Sequence, residues 1–476
     1  MITIPYNPFK CELSELKTED LVTLKSVAEG WYVEYKSDIV KSKNIAKSLA
    51  AFANHYGGWL FYGIAGTTDG SNFAGSFPGI QSSEVRVCLE NIRNAAKDSI
   101  NPCPYYDYKV LNGPSDEIGL SGDRSVIVVL IPSGSDAPYI HSDGRIYRRV
   151  ADASDPKPET DRFILDHLWQ RRQQAHEKLK AFLEQRPLKG EEVMSFAHLF
   201  LSVDPLGIGG HRINLTFDRF KELMANPKSY GMSIGIPFDN FFTTSDGIIC
   251  RQVGINDPYR LLLTFKYNLD ASAQISIPIS STSIFELVEF GFRKDNMLNG
   301  YEQANNILRL LKEQRYRSGQ LLDINNLFFI ITAVLGQYKK LLDESKVGGQ
   351  IYTKAVLENI WRRIPFLDTQ EYIRHVERNG FPLIQSDESF APPGNTFDSL
   401  GVITPVVIHE ENGEMAITQQ RMLEASSIMD SIANALGIPI LVMFDSNGNW
   451  IRAGNRAALI AQKRLEIGVS GKHDNE

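Results

Sequence analysis

The segment VAEGWYVEYK, residues 27–36, places two glutamates, Glu29 and Glu34, around an aromatic stretch that ends in Lys36. Read as a strand over 31–36, alternation puts Tyr32, Glu34 and Lys36 on one face and Trp31, Val33 and Tyr35 on the other. Glu29 precedes Glu34 by an odd spacing, so a turn at Gly30 is needed to bring it to the same side. Two carboxylates about 4 Å apart repel by about 4 kcal/mol at an effective dielectric of 20. A converged pair therefore needs a cation, either Lys36 or a divalent metal. Carboxylates, metal and lysine together could activate water for phosphodiester cleavage. The same spacing also describes an alternating edge strand whose Glu and Lys are solvated.

Arg145, Arg148 and Arg149, with Arg171 and Arg172 on the helix that comes next, form a second candidate group, either a phosphate patch or a solvated basic face. GIAGTTDG at 63–70 could offer backbone N–H groups to a phosphate, but it has neither GK[ST] nor GxGxxG and reads better as a plain strand and loop. No Walker motif supports ATP binding. The histidines show no HExxH spacing and no GxSxG elbow occurs, which leaves zincin and α/β-hydrolase chemistry unsupported.

The elements that must position these residues are legible in part. Ile45, Leu49, Phe52 and Tyr56 recur with helical period, which predicts a helix over 43–56 ended by Gly57 and Gly58. WLFYGIAG at 59–66 and RSVIVVLIP at 124–132 read as buried strands. Asp143-Gly144 inside PYIHSDGRIYRRV is a strong hairpin signal. After the prolines of 154–163 a helix is expected as far as Pro187. These elements define a first domain over 1–187, with its core at about 10–170, in the α+β class. Residues 190–467 are expected to form a larger α/β region of unknown role, with 468–476 as a frayed tail. Within that region, 259–279 reads as two strands around a turn, 301–345 as helical with ANNILRLLKEQ clearest, and 351–380 as its continuation. GNTFDSLGVITPVVI reads as a loop and strand, QRMLEASSIMDSIANALG as an amphipathic helix ending at Gly437, and IPILVMFDSNGNW as a strand with an Asn-Gly turn.

Composition bounds the function. A 476-residue chain with 43% hydrophobic and 22% charged residues is expected to fold as two or three globular domains. Its longest apolar run, LFFIITAVL at 327–335, is too short to span a bilayer. The N-terminal residues lack the pattern of a secretory signal, and Cys11, Cys88, Cys103 and Cys250 lack CxxC spacing, so a cytoplasmic protein with reduced thiols is expected. The formal net charge of -7, most of it beyond residue 190, argues against indiscriminate coating of nucleic acid. Any such binding must be local.

Taken in order, VEYK, IAKSLAAFANHYGGWLFYGIA, VIVVLIP and APYIHSDGRIYRRV resemble the Schlafen AlbA-2 domain over roughly residues 10–170. The specific part is AFAN-x-x-GG-x-L-x-x-GI. The resemblance implies binding of RNA or DNA. In Schlafen nucleases it also implies an acidic triad, of which Glu29 and Glu34 match the first two members. Where the third is usual this chain reads Gly63-Ile64-Ala65-Gly66, which leaves Asp69 as the nearest substitute. On this resemblance Glu29 and Glu34 would hold Mg2+ or Mn2+, while Lys36, Arg145, Arg148 and Arg149 would meet phosphates. Nucleic-acid binding is the first expectation. The alternatives are a metal-dependent endoribonuclease acting in defence or stress, and a non-catalytic regulatory protein that docks a partner through its C-terminal region. Cores of the family look like two such domains side by side, whereas this chain carries the motifs once. A homodimer is therefore expected, with the 163–185 helix and its Leu168, Trp169, Leu179 and Phe182 as the dimer element.

Overall fold

The computed structural model describes residues 6–443 apart from 10, 12, 40, 68–71, 151–154, 188–193, 204–214, 231–234, 253–260, 294–295, 346, 383, 385–399 and 404–412. The fold is α+β. The chain divides into two compact units, Met1–Leu179 and most of the residues from Lys180 onward, with the division inside the helix Arg162–Glu184.

In the first unit the strand Arg124–Pro132 is the hub of a five-stranded sheet. Eight of its nine residues are buried, as its run of Val and Ile requires. It pairs antiparallel with Gly57–Tyr62, with Asp107–Asn112 and with the short Ile80–Gln81. Val33–Lys36 adds to the outer side of Gly57–Tyr62 in parallel, Glu34 opposite Leu60 and Lys36 opposite Tyr62. The helix Ser42–Asn54 makes the crossover between these two parallel strands.

Alternation sends the two sides of this sheet into two apolar clusters. Leu60, Tyr62, Ile127, Val129 and Ile131 pack with Ile45, Leu49 and Phe52 of the crossover helix and with Ile92 and Ala96 of the helix Val85–Ser99. Val33, Tyr35, Trp59, Phe61, Val126 and Val128 pack on the other side with Leu16, Leu21 and Leu24 from the N-terminal segment. The expected helical stripe is present at Ile45, Leu49 and Phe52, while Tyr56 lies beyond the helix end and is 50% exposed.

The second unit is built on a seven-stranded sheet in which every pairing is antiparallel, with Ser195–Val203 between Ala273–Ile279 and Ile351–Glu358. The helices Ile324–Glu344 and Gly413–Ala435 contribute Ile331, Val334, Leu335, Ile428 and Ile432 to its core. The two strands read in 259–279 are present as Leu263–Asn268 and Ala273–Ile279, and Ala304–Glu313 is helical. Two readings need correction. Residues 351–366 hold the strands Ile351–Glu358 and Arg363–Phe366, and helix resumes only at Gln370–Asn379. Ile440–Met443 is a single 3-10 turn where a strand was expected. The rest of that expected strand with its Asn-Gly turn, and the tail 468–476, lie outside the described residues.

Candidate nucleic-acid interface

The sheet register decides the surroundings of Glu34. Because it sits opposite Leu60, it points to the helix-covered side, where it is 0% exposed. A buried carboxylate is costly unless it is paired and hydrogen-bonded, and this one is both. Its Oε1 accepts Ser48 Oγ at 2.9 Å and faces Lys36 Nζ at 2.9 Å. Its Oε2 faces Arg149 Nη1 at 2.9 Å. Arg149, also 0% exposed, donates through Nε and Nη2 to the carbonyl of Gly30 at 3.1 and 2.7 Å, and its guanidinium lies 5.1 Å from the Phe52 ring centroid. Lys36 is 22% exposed and reaches Asp155 at 3.7 Å. Burial alone would lower the Lys36 ammonium, but the charge and hydrogen bond of Glu34 outweigh it and hold the group above its ordinary value.

The turn required at Gly30 is present, with Gly30 N–H donating to Val33 O at 3.0 Å. It brings Glu29 to the strand, where its Oε1 accepts the Tyr35 N–H at 2.6 Å. Burial raises the Glu29 carboxyl above its ordinary value; the Tyr35 N–H opposes this and the charge of Glu34 adds to it. Asp69 lies outside the described residues.

These donor atoms do not fit a divalent ion as they stand. Both Glu34 oxygens are held by cations, and an ion would meet Arg149 and Lys36 at close range. Among the described residues no group of three His, Cys, Asp or Glu side chains is placed to hold a metal.

The expected arginine patch is divided. Arg149 is buried in the pair with Glu34, and this is a correction to its place on a solvated face: its guanidinium supplies the charge that the buried carboxylate requires. Arg148 is paired with Glu159. Arg171 donates to Ser133 Oγ at 3.0 Å and lies among the carbonyls of Ala53, His55 and Gly134. Arg145 and Arg172 are exposed. On the same helix as Arg171, Leu168 packs into the unit's own core and Phe182 is buried, while Trp169 is exposed.

The AFANHYGG stretch has a physical reason at each end. The Asn54 amide is a buried clamp, donating to the carbonyls of Tyr139 and Tyr147 at 2.8 and 3.1 Å and accepting the Tyr139 N–H at 2.7 Å. It thereby holds the Asp143-Gly144 hairpin against the crossover helix. That hairpin forms as read, with Gly144 N–H donating to His141 O at 2.8 Å and Gly144 at φ +81. Gly57 adopts φ +78, and a Cβ on Gly58 would come within 2.3 Å of the Phe52 ring and 2.7 Å of the Tyr32 carbonyl. The tight helix-to-strand reversal needs both.

Sequence reasoning missed an aromatic row at this corner. Tyr6 stacks on Tyr32 at 5.3 Å between centroids, Tyr32 meets Tyr56 at 6.0 Å, Tyr56 meets His55 at 3.9 Å and His55 stacks on Trp31 at 4.9 Å. Burial, then the charges of Arg148 and Arg171, lower His55 to about 4, so its ring is neutral at pH 7. The alternation of 31–36 puts Trp31 and Tyr32 on opposite faces, and nothing in the spacing joins them to each other, to Tyr6 or to Tyr56.

No curated protein matches the sequence. A solved structure, the DIP2311 protein from Corynebacterium diphtheriae, is similar at 15% identity with a TM-score of 0.19, over 35% of this chain and 31% of that one, and the likeness carries no argument. Residues 29–158 match the family model described as Schlafen, AlbA_2. That span runs from Glu29 to the edge of the helix Arg162–Glu184 and takes in the buried carboxylate, the Asn54 clamp and the hub strand, so the chain contains a Schlafen AlbA-2 domain in its N-terminal part.

Proposed function

We propose that this domain binds single-stranded RNA or DNA, with bases stacking on the aromatic row and Glu34 serving the architecture of the site. The observation that carries the reading is the row itself, whose middle member, Tyr56, is 50% exposed. Every base presents a π-face, so stacked rings take successive bases with little regard to sequence. The domain family, whose function is nucleic-acid-related, supports the same direction.

Anisotropy titration with single-stranded RNA, single-stranded DNA and duplex tests it. Tyr56→Ala is expected to weaken single-strand binding by about 1–3 kcal/mol. Affinity is expected to fall as salt rises, because neutralised phosphates release counterions. No cleavage of the bound strand is expected with Mg2+ or Mn2+, given the engaged oxygens of Glu34. Absence of affinity for any of these probes at low salt would end the reading, and unchanged binding in Tyr56→Ala would remove the stacking platform from it.

The single copy of the motif set supports a homodimer, in which a second copy doubles the binding track. Phe163 and Trp169 are exposed large apolar groups of the helix that could serve it. A mass of 53.5 kDa by light scattering at micromolar concentration would refute this.

A further inference from the structure

A second feature of the domain lies at the start of the crossover helix. The helix Ser42–Asn54 has no side-chain cap at its N-terminus; the N–H groups of Asn44 and Ile45 turn to the Lys41 carbonyl, and those of Ser42 and Lys43 face out toward a ligand. Lys41, Lys43 and Lys47 stand around that end with Ser42 and Asn44, and together with His141, Ser142 and Asp143 they line a cleft of about 560 Å³. Among the described residues none of the three lysines makes an ion pair; Lys47 rests over the Tyr147 ring at 5.3 Å.

His141 forms the independent observation. Its side chain is 2% exposed, yet it lines the cleft. Its Nδ1 lies 2.9 Å from Asp143 Oδ1, and its Nε2 is buried with no partner among the described residues. A buried polar atom without a partner is costly, so its persistence at the wall of a cationic cleft points to a group that is bound there. The one carboxylate of the cleft is already engaged: Asp143 accepts the Tyr147 hydroxyl at 2.7 Å and the Arg145 N–H at 3.1 Å, beside His141.

We propose that this cleft is a phosphate site, in which one phosphate group accepts the open N–H groups of the helix, meets Lys41, Lys43 and Lys47, and takes a hydrogen bond from His141 Nε2–H. Helix N-termini favour anions through their dipole and their free donors. In the tautomer that accepts the Asp143 N–H at Nδ1, 3.2 Å away, the ring proton lies on Nε2 and can be donated to the phosphate. The phosphate could be a terminal monoester or a backbone diester of the strand proposed above. That link rests on the proposed function; the anion site itself does not.

The test uses the full chain in three arms: inorganic phosphate, a 5′-phosphorylated single-stranded oligonucleotide, and the same oligonucleotide with a 5′-hydroxyl. The readouts are affinity and the His141 ring resonances in NMR. Phosphate is expected to shift the His141 resonances, and Lys43→Gln, an exposed change that leaves folding intact, is expected to weaken phosphate binding about tenfold. His141→Gln is expected to do the same and to abolish any difference between the two oligonucleotides. A preference for the 5′-phosphorylated strand assigns a terminal phosphate; equal affinities, both weakened by Lys43→Gln, assign the backbone. If phosphate leaves the His141 resonances unmoved and Lys43→Gln binds every probe as the parent does, the site is overturned even where strand binding persists. If phosphate binds through these residues while neither oligonucleotide binds, the site stands and the proposed function fails.

Discussion

Replacing Glu34 by alanine tests whether the carboxylate is architecture. The substitution removes the partner of Arg149, which is 0% exposed and cannot recover its charge interaction from water. Breaking a buried pair by deleting one partner costs about 3–5 kcal/mol. Lys36 adds little, because at 22% exposure it can turn to solvent or to Asp155, as surface pairs worth about 0–1 kcal/mol do. The loss of the Ser48 hydrogen bond, about 1 kcal/mol alone, overlaps with the main effect. The expected cost is therefore about 3–5 kcal/mol, and most of it belongs to Arg149. Because the chain has two units, the assay is hydrogen exchange of the Gly57–Tyr62 and Arg124–Pro132 amides in increasing urea, which reports the first unit by itself. A double change, Glu34→Leu with Arg149→Met, is expected to recover most of the loss, since apolar groups of similar volume replace buried ion pairs at small cost. A cost below about 1 kcal/mol for Glu34→Ala, or no recovery in the double variant, would refute the architectural role. A gain in stability would refute it more strongly, because stabilisation on removal is the mark of a strained functional group.

Gly58→Ala is expected to destabilise the first unit by about 1–3 kcal/mol in the same assay, because the new Cβ would meet both the Phe52 ring and the Tyr32 carbonyl. Asn54→Ala is expected to cost about 2–4 kcal/mol through its three buried hydrogen bonds and to expose the 140–148 segment to limited proteolysis, read by mass spectrometry of the first cut. His55 contributes a pH dependence of known sign. Its folded value of about 4 lies below the ordinary 6.5, so the stability it contributes is present above pH 6.5 and is lost as pH falls through 4. Between those limits the stability difference between the parent and His55→Gln is expected to shrink with falling pH; a difference that is flat or grows would refute the neutral, buried ring.

The sequence carried the local elements well where one period ran without interruption. Arg124–Pro132 matches end for end the nine residues read as a strand, seven of them an unbroken apolar run, and the Asp143-Gly144 turn formed as its chemistry demands. The shared face of Glu34 and Lys36 was legible from alternation, and the two side chains do meet. The groups that cover that face were not legible. Ser48 and Arg149 reach Glu34 from 14 and 115 residues away, and no local pattern encodes such contacts. The same blindness put Arg149 on the surface, because an arginine read alone is most often solvated. The misreading of 351–366 has a different cause: Ile351–Glu358 lies inside a sheet covered on both sides, where buried strands lose the alternation that would reveal them. At 440–443 the run of Ile, Leu, Val and Met has strand composition, but it forms a 3-10 turn packed beside the helix Gln370–Asn379, to which Thr369 is tied through the Val442 carbonyl.

Val33–Lys36 is the last strand on its side of the sheet. The carbonyls of Tyr32 and Lys36 turn inward to Trp59 and Gly63, so the outward rim belongs to Val33 and Tyr35. A bare rim of this kind invites a foreign strand to add itself, and proteins blunt it with charged groups. Here the Glu29 carboxylate occupies the Tyr35 N–H, while the Gly30 N–H and Arg149 occupy the Val33 carbonyl. Glu29 and Arg149, each a candidate for chemistry with phosphates, thus also close the sheet against strand addition. A protein partner that recruits by extending a sheet would have to dislodge both a carboxylate and a buried guanidinium before it could pair with the Tyr35 N–H and the Val33 carbonyl.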